Sequence, residues 1–234
     1  MVELNLAPTR ARARALILAG RVKVDSHVVD KAGTTISSGS AIEVAKNGDY
    51  VSRGGEKLEF ALKHFKPVIR ERIALDVGAS TGGFTDSLLR HGAAKVYAID
   101  VGYGQLAWQI RNDPRVVVIE RMNARNLAPE MFRERPQIAT VDVSFISLTL
   151  VLGPVAGVLT SPAGIIALIK PQFEAGREHV RRGGVVRDAA VHAQVIQKVS
   201  DFARSIGLDP QGIVESPLLG PAGNKEFFIH LIKP

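Results

Sequence analysis

The chain has 234 residues, 46% of them hydrophobic, and 30 Lys and Arg against 23 Asp and Glu give a formal net charge of +7. That length can bury one large core and leave room for a small second unit, while the absence of cysteine excludes disulfides and thiolate metal sites and suits a reducing cytoplasm. The positive excess points to a polyanionic partner, and the N-terminus becomes an arginine-bearing helix too soon for a secretory leader.

Residues 1–46 read as a separate α+β unit. Pro8 and Thr9 start and cap a helix that ends at Gly20 and carries Arg10, Arg12 and Arg14, with Leu16 to Leu18 facing a core. Arg21 to Val24 and His27 to Val29 alternate like strands about the turn Asp25-Ser26, and Ala41 to Val44 follows as a third. Residues 47–55 read as a linker. In it Gly54 and Gly55, flanked by Arg53 and Lys57, suggest a flexible basic entrance to the large unit, residues 56–234. A helix from Glu56 to Phe65 opens that unit and stops before Pro67.

The apolar run Ile73 to Val77 has the length and composition of a buried parallel strand. Gly78, Gly82 and Gly83 follow, then an amphipathic segment from Phe84 to Arg90 and a second strand, Lys95 to Ile99, closing on Asp100. Strand, glycine-rich turn, helix, strand and acid make the first βαβ unit of a nucleotide- or adenosyl-binding sheet. A dinucleotide site expects G-x-G-x-x-G, whereas this turn reads D-x-G-x-S-T-G-G-F with no basic residue near it. Asp76 would repel a pyrophosphate and suits an ammonium and a sulfonium, and Asp100 is placed to accept from two ribose hydroxyls. The expected cofactor is therefore S-adenosylmethionine, contacted by Asp76, Gly78, Ser80, Thr81, Gly82, Gly83, Phe84 and Asp100.

Arg115 to Ile119 and Ile138 to Val143 read as strands three and four, the region Ser147 to Leu159 as a helix, and Gly164 to Ile169 as strand five. No charge interrupts Val143 to Ile169, a span long enough for a bilayer, but Gly153, Pro154, Gly157, Pro162 and Gly164 favour a helix and a buried strand. Asp188 to Ile206 is a long amphipathic helix, and Gly212 to Leu219 with Glu226 to Ile232 a closing strand pair. The alternation implies an α/β fold, a mostly parallel doubly wound sheet with a terminal antiparallel strand, whose ligands sit at the carboxyl ends of the strands. Lys57, Asp142, Lys170 and Glu226 stand at element ends that this topology brings to one rim. Arg177, Arg181, Arg182 and Arg187 surround Gly183-Gly184 on a long loop that reads as a phosphate-binding lid.

Two resemblances sharpen these readings. The pattern R-x-x-A-x-x-L-I-x-A-G-R-V-x-V-D from Arg10 to Asp25 resembles the S4 RNA-binding domain, which usually has Gly where Ser26 stands and a further helical turn before Val2, so a truncated start is expected. It implies phosphate contacts from Arg10, Arg12, Arg14, Arg21, Lys23 and, at the linker, Arg53. VSRGGEKL, LDVGASTGGFTD, VDVSFISL, IKPQFEAGRE, GGVVRD and GPAGNKEF are similar to the hemolysin A (TlyA) family of ribosomal RNA 2′-O-methyltransferases, whose large domain has the FtsJ-like, Rossmann-like methyltransferase fold. That resemblance implies a catalytic set of Lys57, Asp142, Lys170 and Glu226. For Lys170 to serve as the base, burial or a neighbouring cation such as Lys57 must lower its pKa, with Asp142 orienting it and Glu226 holding Lys57 or the ribose. The resemblance puts Asn123 where many methyltransferases carry an acid near the adenine. It also implies ribosomal RNA or ribosomal subunits as partners, no metal and no stable membrane insertion. The competing readings are a non-catalytic RNA-binding or ribosome-assembly protein and a membrane-active hemolysin.

Overall fold

The computed structural model describes residues 1–44, 50–180 and 183–234. In the N-terminal unit, α1 (Arg10–Leu18) is capped by Thr9, whose hydroxyl accepts from Arg12 N at 3.1 Å. A three-stranded antiparallel sheet in the order β2-β1-β3 follows, from β1 (Val22–Val24), β2 (His27–Val29) and β3 (Ile42–Val44). Ser26 takes φ +68°, so a serine here makes the left-handed turn for which the S4 pattern uses glycine.

The large unit contains α2 (Arg53–Phe65), β4 (Ile73–Val77), α3 (Gly83–Arg90), β5 (Lys95–Ile99), α4 (Trp108–Arg111), β6 (Val116–Ile119) and β7 (Ile138–Val141). It continues through α5 (Leu152–Val158), β8 (Ala163–Ile169), α6 (Pro171–Glu174), α7 (Ala189–Ser205), β9 (Asp209–Glu215) and β10 (Phe227–Lys233). The seven strands lie in the order β6-β5-β4-β7-β8-β10-β9; β4 to β8 are parallel and β10 runs antiparallel to both its neighbours. This is the doubly wound sheet the alternation predicted. Alternate residues of β8 serve opposite cores: Ile165, Ala167 and Ile169 pack with Leu152, Val155, Val195 and Val199 on one face, Ile166 and Leu168 with Leu58, Leu62 and Leu88 on the other. Burial on both faces explains why β8 reads as a continuous apolar run. Among the described residues no helix is long and apolar enough to cross a membrane.

Several boundaries moved for physical reasons. The expected linker, residues 47–55, lies partly outside the described residues, and α2 begins at Arg53 rather than Glu56. Gly54 and Gly55 are therefore helical, not a flexible entrance. A Cβ on Gly55 would fall 2.4 Å from the Tyr50 ring, and one on Gly83 would fall 2.2 Å from Ser52 Oγ and 2.8 Å from Gly55 N. These glycines let α2 and α3 press together, which leaves Lys57 buried. The strand at 209–215 starts three residues before the expected 212; it is the edge strand, the one place where Pro210 can sit in a sheet. The helix expected over 147–159 is a 3₁₀ turn at Leu148–Leu150 followed by α5.

Candidate functional site

A cleft of about 870 Å³ opens at the carboxyl ends of β4, β5 and β7. Its floor exists because the chain leaves β4 and β7 at the same place: Gly78 has φ +88°, and a Cβ on it would lie 2.2 Å from the Asp142 carbonyl oxygen. No other residue fits there. Past this crossing, Asp100 accepts from Ser80 N at 2.7 Å through Oδ2 and from Gly102 N at 2.6 Å through Oδ1, so two backbone amides brace the carboxylate in the cleft wall. Asn123 also lines the cleft, its Oδ1 accepting from Arg125 N at 3.0 Å to cap a short helical turn. Ile99, Met122, Ala124, Ile146 and Leu150 supply apolar wall.

The rest of the glycine-rich turn does other work. Gly82 (φ +95°) carries α3 under Leu106 and Ile110, and Gly83 meets α2. Phe84 is 3% exposed and tilts against Phe228, ring centroids 6.2 Å apart. Thr81, Gly83 and Phe84 border a second pocket instead of the main cleft. Asp76, expected to face the ligand, is fully buried: its carboxylate accepts from Thr85 Oγ1 at 2.6 Å and Thr140 Oγ1 at 3.0 Å. Burial pushes its pKa up to about 7 against those two hydrogen bonds, and the nearby charges of Asp142 and Asp100 add to the rise. The end of β4 points this side chain under the turn, which corrects the expectation of a direct ligand contact.

The second pocket, about 200 Å³, shares Gly78, Ser80, Asp142 and Ser144 with the cleft and gathers Lys57, Lys170 and Glu226. The N-terminal unit roofs it with Ala19, Gly20 and Asp30 among others. The four ionisable residues form two pairs: Lys57 Nζ donates to Glu226 Oε2 at 2.5 Å, and Lys170 Nζ lies 2.5 Å from Asp142 Oδ1. Lys170 also donates to Ser144 Oγ at 2.9 Å. Ser144 escaped the sequence reading, though its place two residues beyond Asp142 in VDVSF was the available signal. The expected depression of Lys170 is reversed. Burial opposes its charge, but the carboxylates of Asp142 and Glu226 outweigh burial and raise its pKa above the ordinary lysine value. Lys57 cannot act as the depressing cation because Glu226 neutralises it.

The basic residues separate into two groups. Arg10, Arg12, Arg14, Lys23, Arg177 and Arg187 are exposed. Arg21 is 8% exposed, donates to the Tyr50 carbonyl and lies 3.8 Å from Glu56, so it acts as a strut between the two units. Arg53 is half-buried; its guanidinium donates to the Leu219 carbonyl at 3.0 Å and its backbone amide donates to the Ala19 carbonyl at 3.4 Å. Arg181 and Arg182 lie outside the described residues. In the loop expected as a phosphate-binding lid, Val186 is 2% exposed and its amide donates to Asn224 Oδ1 at 2.9 Å.

Residues 50–233 match the family model of the FtsJ-like methyltransferases, and residues 1–42 match that of the S4 domain. A provisionally named rRNA methyltransferase, YqxC of Bacillus subtilis, is 47% identical over all of the chain and 84% of its own length. The 16S/23S rRNA (cytidine-2′-O)-methyltransferase TlyA of Mycobacterium tuberculosis is 46% identical, covering 99% of the chain and 87% of the relative. A solved structure of a provisionally named hemolysin from Streptococcus thermophilus superposes with a TM-score of 0.79 at 44% identity, covering 96% of this chain and 83% of that one. The two family models and these relatives together account for nearly the whole chain, which belongs to the TlyA/hemolysin-like family of rRNA methyltransferases, an S4 domain joined to an FtsJ-like methyltransferase domain.

Proposed function

We propose that the chain methylates the 2′-hydroxyl of a ribose in ribosomal RNA, in the cytoplasm, with S-adenosylmethionine as donor and with cytidine, the nucleoside named for the TlyA relative, as target. The observation that carries this reading is the joining of two spaces: a cleft suited to the donor and a pocket holding Lys57–Glu226 and Asp142–Lys170 share the wall Gly78, Ser80, Asp142 and Ser144.

The donor set fits the cofactor. Asp100 presents a braced carboxylate to two neighbouring hydroxyls, and Ile99, Met122 and Ala124 offer an apolar slot to a planar base. When bound, S-adenosylmethionine supplies an electrophilic methyl group. The chain's residues do the rest. A ribose hydroxyl is a weak acid, so Lys170, once it has lost its resting proton, takes the hydroxyl proton on Nζ. Asp142 then holds the ammonium that results, and Ser144 keeps Nζ directed. Lys57 and Glu226 place the ribose from the opposite wall; positioning of this kind supplies much of the acceleration when the reacting atoms are held in line. Arg10, Arg12, Arg14 and Lys23 on the S4 domain, and the exposed Arg177 and Arg187, bind phosphate.

The deciding experiment offers tritiated donor and purified ribosomal subunits or naked rRNA, and maps the product by 2′-O-methyl-sensitive sequencing. Transfer to a ribose oxygen is expected. No transfer by a protein that still binds the donor would leave only the RNA-binding reading.

A further inference from the structure

The loop between α6 and α7 bears arginines on its exposed side, yet its second half is fastened to the turn that delivers Glu226. The fastener is Asn224, which is 1% exposed. Its Oδ1 accepts from Val186 N at 2.9 Å and its Nδ2 donates to the Gly184 carbonyl at 2.8 Å. Both ends of one buried amide are therefore spent on a single stretch of that loop. The Asn224 carbonyl accepts in turn from Gly220 N at 2.8 Å, closing the turn from 220 to 224. A Cβ on Gly220 would lie 2.6 Å from Glu226 Oε1, so the turn rests against the carboxylate that holds Lys57. A second tie runs parallel: His192 Nε2 lies 3.0 Å from the Val186 carbonyl, and its ring packs 5.5 Å from Phe227.

We infer that Asn224 is a positioning residue that couples phosphate binding at Arg187, beside Val186, to the placement of the Lys57–Glu226 pair. An apolar side chain could fill the same space without obliging the fold to satisfy a buried donor and a buried acceptor. What the amide adds is that loop and turn move as one body. RNA seated on the loop thereby fixes Gly220, and Gly220 fixes the Glu226 carboxylate. The inference rests on the rRNA methylation proposed above.

The test compares Asn224→Ala and Asn224→Asp with the unaltered chain in single-turnover methylation of rRNA at saturating donor. Aspartate still accepts from Val186 N but cannot donate to Gly184. The rate should fall in the order wild type, Asp, Ala, by about 10–100-fold in all, the cost of slight misplacement. Donor affinity by calorimetry should hold, because neither Asn224 nor the residues it bonds line the donor cleft. Arg187→Ala should slow the wild type yet add little in the Asn224→Ala background, since the path it acts through is already cut. Hydrogen exchange gives a readout free of turnover: rRNA should protect the amides of residues 225–228 in the wild type and not in Asn224→Ala. Strictly additive losses, a normal rate in Asn224→Ala, or equal protection in both proteins would overturn the coupling. Absent methyl transfer by the wild type would instead refute the proposed activity, and the exchange experiment would still decide the coupling.

Discussion

Replacing Asp142 with Asn tests how Lys170 works. In the structure Lys170 Nζ sits 2.5 Å from Asp142 Oδ1, with the two side chains 12% and 23% exposed, so water screens the pair weakly. The substitution keeps the size of the side chain and removes the first of the carboxylates that lift the lysine above its ordinary value. An opposite charge at this range favours the ammonium, so its removal lets the lysine lose its proton at lower pH. If Lys170 must be neutral to accept the hydroxyl proton, the wild-type rate rises with pH up to the raised value. In Asp142→Asn that rising limb should move toward acid. Its plateau should be lower, because the ammonium formed in the transition state has lost its counter-charge. Stability carries the same sign: a raised lysine pKa stabilises the fold below the unfolded value and ceases to do so as pH rises through the folded one, so the variant should be less stable at neutral pH. Single-turnover rates measured from about pH 6 to beyond the ordinary lysine value supply both limb and plateau. A limb that stays in place would show that some other group titrates. Lys170→Arg provides the control, with an expected loss of about 10²–10⁴ in turnover, because guanidinium keeps its proton; an arginine variant with near-normal turnover would mean that position 170 supplies charge alone.

Asp76, whose pKa burial pushes up to about 7, holds its proton in the folded state where the unfolded chain has lost it, so stability should fall as pH climbs from about 4 to about 7. Asp76→Asn, which can still bond Thr85 and Thr140, should flatten that slope and stabilise the protein above pH 7 by up to roughly 4 kcal/mol; thermal unfolding across pH measures it, and an unchanged slope would contradict the assignment. Asp100→Ala should weaken donor binding by about 1–3 kcal/mol in calorimetry, and unchanged affinity in a folded variant would remove Asp100 from the site. Changing Arg10, Arg12, Arg14 and Lys23 together to Ala should flatten the dependence of log affinity for rRNA on log salt by up to about 3, near 0.7–0.9 per phosphate contact. Arg21→Ala, by contrast, should lower the melting temperature and leave that slope alone; a slope that responds to Arg21 instead would reverse the assignment of strut and contact.

The order and type of the strands were legible because they depend on local pattern. Ile73 to Val77 and Ala163 to Ile169 are apolar runs too short for helices, and a sheet buried on both faces accepts them without polar alternation. Gly78 and Asp100 could be located for the same reason, since a strand must end and turn within its own few residues. Neighbours brought in from elsewhere in the chain decided the rest. Gly55 looked flexible until Tyr50 and Gly83 were packed on it; Arg21 looked like a phosphate contact until Tyr50 and Glu56 enclosed it. Asp76 stands near the end of a strand as a ligand residue should, yet Thr140, 64 residues away, claims its carboxylate. Lys57 and Glu226 are 169 residues apart in sequence and 2.5 Å apart in space. The sequence determined which ionisable groups reach the rim, because chain direction and sheet order put strand ends there. Only the tertiary structure decided which group pairs with which, and that Lys170 rests charged. Desolvation and Coulomb attraction depend on distance through space, and that distance is set when the sheet and its two helical layers close together.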